Sequence, residues 1–91
     1  MVYLIHFDEK YHHAQHYLGY TGDLENRIAE HAAGVGSPLL AAVSEAGIGW
    51  RVVRVWKYRG RTFERQLKNR HKTWELCPVC NPTAWSRNGR K

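Results

Sequence analysis

Apolar and polar positions divide this chain into strands and helices. Val2 to Phe7 is a short apolar run of strand length. Asp8 to Gln15 is polar and predicts a loop between antiparallel strands, the second at about His16 to Tyr20. After Thr21-Gly22-Asp23 the spacing becomes helical: Leu24, Ile28 and Ala32 recur on one side, Asp23 is placed to cap the first turn, and Gly34 ends the helix. Gly36-Ser37-Pro38 starts a second helix, with Ser37 as cap and Pro38 at its first position. Leu39, Leu40 and Val43 form its apolar side, and Gly47 and Gly49 terminate it. Trp50 to Tyr58, rich in valine and aromatics, reads as a third strand. Thr62, after the turn Arg59-Gly60-Arg61, is the expected cap of a third helix with Phe63, Leu67, Arg70 and Trp74 on its inner side.

The order of elements predicts one α/β (α+β) domain, a small, mainly antiparallel three-stranded sheet flanked by helices. Ninety-one residues allow little more than that, and 43% hydrophobic content is enough for a core. The domain is expected over 1–75, with a separate C-terminal segment over 76–91. No apolar run approaches the roughly 20 residues of a membrane span, and Asp8 and Glu9 interrupt any leader-like stretch. A soluble, cytoplasmic protein with no membrane partner is therefore expected.

Charge changes the picture more than composition does. Residues 1–50 hold two Lys/Arg against six acids, a balance of −4, whereas residues 51–91 hold twelve against two, a balance of +10. Such a field attracts polyanions and gives salt-sensitive affinity for a phosphate backbone. Arg51 and Arg54 alternate with valine and tryptophan, a pattern that serves a nucleic-acid surface or core packing with snorkelling cations equally well.

Candidate chemistry lies at the helix margins. Arg27 falls about 60° around its helix from Leu24, and His31 follows one turn later, so both border the buried stripe. They form either a solvated face or an anion clamp. Glu64 lies about 60° from Leu67 and is the only acid between Glu45 and Glu75. It makes either an ordinary pair with Lys68 or a site that holds a cation beside a phosphate.

Taken together, Val2-Tyr3-Leu4, Tyr17-Leu18-Gly19, Arg27 with His31 and Gly34, and Glu64 within Phe63 to Lys68 resemble the motifs of the GIY-YIG endonuclease superfamily, in its order, over residues 2–75. The chain departs from that pattern at Met1, where the first motif has glycine, and at Tyr20, where many relatives carry lysine or histidine. The resemblance implies hydrolysis of DNA phosphodiester bonds with one Mg²⁺ or Mn²⁺. Glu64 would be the metal ligand, Arg27 the phosphate clamp, Tyr3 or Tyr17 the general base, and His31 a proton relay or phosphate contact. His16, Arg51, Arg54, Arg61 and Lys68 are the expected nucleic-acid contacts. A homodimer or a separate DNA-reading partner would supply specificity. The alternative is a catalytically inactive nucleic-acid-binding module of the same fold, and a third reading is a small zinc-stabilised interaction domain.

Cys77-Pro78-Val79-Cys80 is half of a zinc motif without a second pair in sequence. Two reduced thiols are the expectation, with Zn²⁺ at Cys77 and Cys80, completed by His71 or another chain, as the lesser reading. The last residues, with Arg87, Arg90 and Lys91, form a basic tail that would add phosphate contacts.

Overall fold

Six consecutive residues, Val2 to Phe7, are buried, which requires a strand covered on both faces. The computed structural model, which describes residues 1–70 and 73–81, accounts for this. Strand β1 (Val2–Tyr11) is the middle of an antiparallel sheet, between β2 (Ala14–Tyr20) and β3 (Trp50–Trp56). Tyr3, Ile5 and Phe7 pack on one face against Leu40 and Val43 of α2 (Pro38–Glu45) and Leu24 and Ile28 of α1 (Leu24–Ala32). Val2 and Leu4 pack on the other against Leu18, Cys77, and Phe63 and Leu67 of α3 (Arg61–Asn69). The described residues form the expected small α+β domain, with three antiparallel strands and three α-helices.

Two of the expected caps form. Asp23 accepts from the Asn26 amide at 3.1 Å, and Ser37 accepts from the Leu40 amide at 3.3 Å behind Pro38. Gly34, at φ +86°, takes the left-handed position after α1 that other residues adopt at a cost.

Five local expectations are corrected. Asp8 to Tyr11 continues β1, and Ala14 and Gln15 begin β2, rather than forming a loop. The hairpin closes through His12 and His13, with His12 at φ 56°, and beyond Phe7 the exposed Asp8, Glu9 and Lys10 are polar because the ladder has left the core. The third strand stops at Trp56, leaving Tyr58 exposed. The α3 helix starts at Arg61, so Gly60 holds the cap position without a side-chain bond and Thr62 lies within the first turn. That helix ends at Asn69, which takes Trp74 out of register with Phe63 and Leu67; Trp74 is about half exposed, and Arg70 turns outward to Glu75 at 3.5 Å. Ala32, expected on the buried stripe of α1, is exposed.

Packing does not stop at residue 75, because Cys77 is fully buried beside Leu4 and Leu67, with Leu76 against the same cluster. Residues 82–91, which include the basic tail, and His71 lie outside the described residues. Among the described residues no helix is long and apolar enough to cross a membrane.

Candidate functional site

Pairing of β1 with β2 sets Tyr3 opposite Gly19. The Tyr3 ring crosses the neighbouring strand at this point, and a Cβ added to Gly19 would lie 2.5 Å from the Tyr3 hydroxyl and 2.9 Å from the Tyr17 ring. Glycine is needed here for the space it leaves. The Tyr3 hydroxyl reaches Nε2 of His31 at 2.8 Å. The Tyr17 ring centroid is 6.1 Å from that of Tyr3 and 5.4 Å from that of His31, so two strands and α1 deliver three rings to one place. Arg27 lies one turn before His31 and is held by Glu30 at 3.2 Å. A Cβ at Gly36 would meet both Arg27 Nη1 (3.3 Å) and His31 Nδ1 (3.6 Å), so these two nitrogens converge there.

The Arg-His margin read from the helix is therefore asymmetric: His31 is completely buried, while about a third of the Arg27 side chain remains exposed. Burial lowers the His31 pKa and the Arg27 charge lowers it further, with Glu30 and the Val35 backbone opposing. Burial also pushes the Tyr3 phenol upward, and Tyr17 adds to the shift; Arg27 acts against it, and the more remote Glu64 acts with it. A neutral imidazole then faces a protonated phenol. With Tyr3 as the donor to Nε2, the imidazole proton sits on Nδ1, a buried atom with no hydrogen-bond partner.

The sign of this shift gives a first prediction. His31 is neutral in the folded chain at a pH where the unfolded chain, near the ordinary value of 6.5, takes up a proton. Its contribution to stability is present above about pH 6.5 and lost as pH falls below it. Urea unfolding at about pH 7 and about pH 5 should show a larger loss for the parent than for His31→Gln. Equal losses in the two proteins would remove the argument.

Glu64 projects from α3, whose Phe63 and Leu67 pack on the opposite face of the sheet from α1. Its side chain is only 18% exposed, its partner is Lys68 at 3.1 Å, and its charge is nevertheless felt at Tyr3. Of the expected nucleic-acid contacts, Arg51 lies on the far strand and faces Asp8 at 3.9 Å, and Arg61 stands over Tyr20 at 5.4 Å. Arg54 is engaged internally: it donates to the Leu76 carbonyl at 3.0 Å and covers Trp56 at 4.8 Å.

His16 is also turned inward, into a cluster that the expectation for the cysteines had not included. His6 and His16 are cross-strand partners on β1 and β2, and their Nδ1 and Nε2 atoms lie 3.3 Å apart. Cys77 Sγ is 3.4 Å from His6 Nδ1, and Cys80 Sγ is 3.7 Å from His6 Nδ1 and 3.4 Å from His16 Nε2. All four donor atoms fall within 4.8 Å of one another, a group that can hold a metal ion. Its nitrogen and sulfur donors suit a zinc-like ion rather than Mg²⁺. The missing half of the C-x-x-C site is thus supplied by the sheet, and His71 is not needed to complete four donors. Burial lowers the His6 pKa and takes that of His16 down to about 4, so both imidazoles keep a lone pair at neutral pH. A hollow of about 390 Å³ opens beside this cluster, lined by Lys10, His13, Gln15, His16 and Trp74, away from Tyr3.

No family model, curated protein or solved structure matches the chain.

Proposed function

We propose that this chain is a divalent-metal-dependent nuclease of the GIY-YIG type, acting on DNA. The observation that carries the reading is the junction of Tyr3, Tyr17 and His31 over Gly19, with Arg27 one helical turn away. The positive balance of residues 51–91 supports a polyanionic substrate.

Hydrolysis of a phosphodiester needs an acceptor for the proton of water, compensation for charge at phosphorus, and a fixed geometry. Tyr17, the less buried phenol, faces the water and takes its proton while passing its own to Tyr3. Tyr3 hands its proton to His31 Nε2, the lone pair it already addresses at 2.8 Å. The hydroxide bonds to phosphorus as the P–O3′ bond breaks, and the departing oxygen takes its proton from solvent; the relay leaves both phenols uncharged and puts the charge on His31, where the phosphate anion offsets the cost of burial. Arg27 presents the free edge of its guanidinium to the phosphate, and His31 Nδ1–H, otherwise unpartnered, donates to the same anion.

Glu64 would hold the metal. A single carboxylate fits Mg²⁺ or Mn²⁺, which keep several waters and take further ligands from substrate phosphate. When bound, the ion supplies charge compensation and polarises the scissile phosphate. Lys68, now on Glu64, would give way to it. If Lys68 never yields, the same surface is a silent nucleic-acid binder, the second reading.

Cleavage of plasmid, single-strand, flap and junction DNA with Mg²⁺ and Mn²⁺ tests the proposal. Glu64→Gln keeps the shape and removes the charge. It is expected to raise the Mg²⁺ concentration for half-maximal cleavage by about 10–100-fold, with DNA binding retained. Binding without cleavage by the parent on every substrate would favour the silent module. Undiminished cleavage by Glu64→Gln would overturn the assignment of the metal ligand.

A further inference from the structure

We propose that His6, His16, Cys77 and Cys80 bind one Zn²⁺ in a closed tetrahedral site, which fastens the segment after α3 to the β1–β2 hairpin. This centre is separate from the Glu64 position and does not depend on the nuclease reading.

Hydrogen bonding alone does not explain the arrangement. His6 Nδ1 has three polar neighbours at 3.3, 3.4 and 3.7 Å, His16 Nε2, Cys77 Sγ and Cys80 Sγ. One imidazole nitrogen offers a single proton or a single lone pair, so it satisfies one such neighbour well and leaves the others unmatched. Four donors directed at a common centre remove the conflict.

The spacing also has the right scale. Ligand bonds of about 2.0 Å to nitrogen and about 2.3 Å to sulfur at tetrahedral angles separate two nitrogens by about 3.3 Å and a nitrogen from a sulfur by about 3.6 Å. The observed His6–His16 N···N distance is 3.3 Å, and the N···S distances from Cys77 to His6, Cys80 to His6 and Cys80 to His16 are 3.4, 3.7 and 3.4 Å. Two imidazoles with two thiolates are a preferred zinc set, and four protein ligands leave no position for substrate.

Each ligand pair is built by its local structure. The two histidines face each other because β1 and β2 are in register at His6↔His16. The two cysteines are brought together by a turn over Pro78 to Cys80, closed by the Asn81 amide on the Cys77 carbonyl at 2.7 Å. Cys77 is fully buried next to Leu4 and Leu67, whereas Cys80 is exposed. The ion would therefore join the β1–β2 hairpin to the segment after α3, with His6 and Cys77 separated by 71 positions in the chain.

The test uses the full chain purified under reducing conditions. Elemental analysis and native mass spectrometry should find about one zinc per chain, not displaced by excess Mg²⁺. Exchange for Co²⁺ should give the intense visible absorption of a tetrahedral ion together with a thiolate charge-transfer band. Cys80→Ser, chosen because this position is exposed, and His16→Gln should each lose the bound equivalent, and with it the charge-transfer band. Should either variant fail to fold, the parent's metal content and Co²⁺ spectrum decide. Substoichiometric metal with a weak octahedral Co²⁺ spectrum, or a native mass showing a Cys77–Cys80 disulfide, would overturn the site.

Discussion

Tyr17→Phe is expected to lower DNA cleavage by about 10²–10⁴-fold, the range for losing a positioned proton acceptor. One oxygen is removed and the ring stays, so folding should be unaffected. Tyr3→Phe is expected to cost a similar factor, because the relay from Tyr17 to His31 passes through its hydroxyl. The double variant should be no worse than either single one, since groups that act as a unit are not additive. Stability separates the two phenols. Tyr3→Phe leaves the buried His31 Nε2 without its partner and should destabilise the fold by about 1–3 kcal/mol. Single-turnover cleavage and thermal melting of the three proteins provide the measurements. If Tyr3→Phe keeps full activity, Tyr17 works without the relay; if Tyr17→Phe does, the proton leaves by another route.

The second large effect is on stability. Leu4 is fully buried in the middle strand, beside Leu18, Leu67 and Cys77. Leu4→Ala should cost about 2–5 kcal/mol through lost burial and the cavity left behind. A small domain has only about 5–15 kcal/mol in total, so the loss should be visible in both melting temperature and urea midpoint. The void also lies under α3, which carries Glu64, so the Mg²⁺ requirement for cleavage should rise with it. Leu39→Ala, on α2 at a half-buried position, serves as the comparison and should cost less. A loss below about 1 kcal/mol for Leu4→Ala would mean that α3 is not seated on this residue.

Much of the fold can be read from local signals. Asp23 and Ser37 cap where short polar side chains before apolar runs should, and Val2 to Phe7 forms a strand as its apolar character predicts. What local signals could not give is register. The convergence of Tyr3 and Tyr17 over a glycine, and of His6 with His16, is a property of strand pairing and appears in no window of sequence. The polarity of Asp8 to Lys10 was misleading for a related reason. A ladder can run on past its core, and then polar side chains are what it needs. For the cysteines the useful signal was two histidines ten positions apart, each adjacent to strand aromatics; it acquires meaning only once the hairpin is drawn with its tip at His12 and His13. Arg54 illustrates the converse, a cation in a basic run that is occupied with the Leu76 carbonyl and Trp56.

Alternation along β1 carries a consequence for how this chain tolerates changes in length. Odd positions there carry the phenol toward α1, and even positions carry an imidazole toward the cysteines. Deleting a single residue between Tyr3 and His6 would reverse that parity for one of them and send it to the wrong side of the sheet. Two chemistries are thus interleaved in one reading frame of side-chain direction. Insertions and deletions are tolerable at the His12-His13 tip, where no parity has to be kept, and hardly anywhere else in the hairpin.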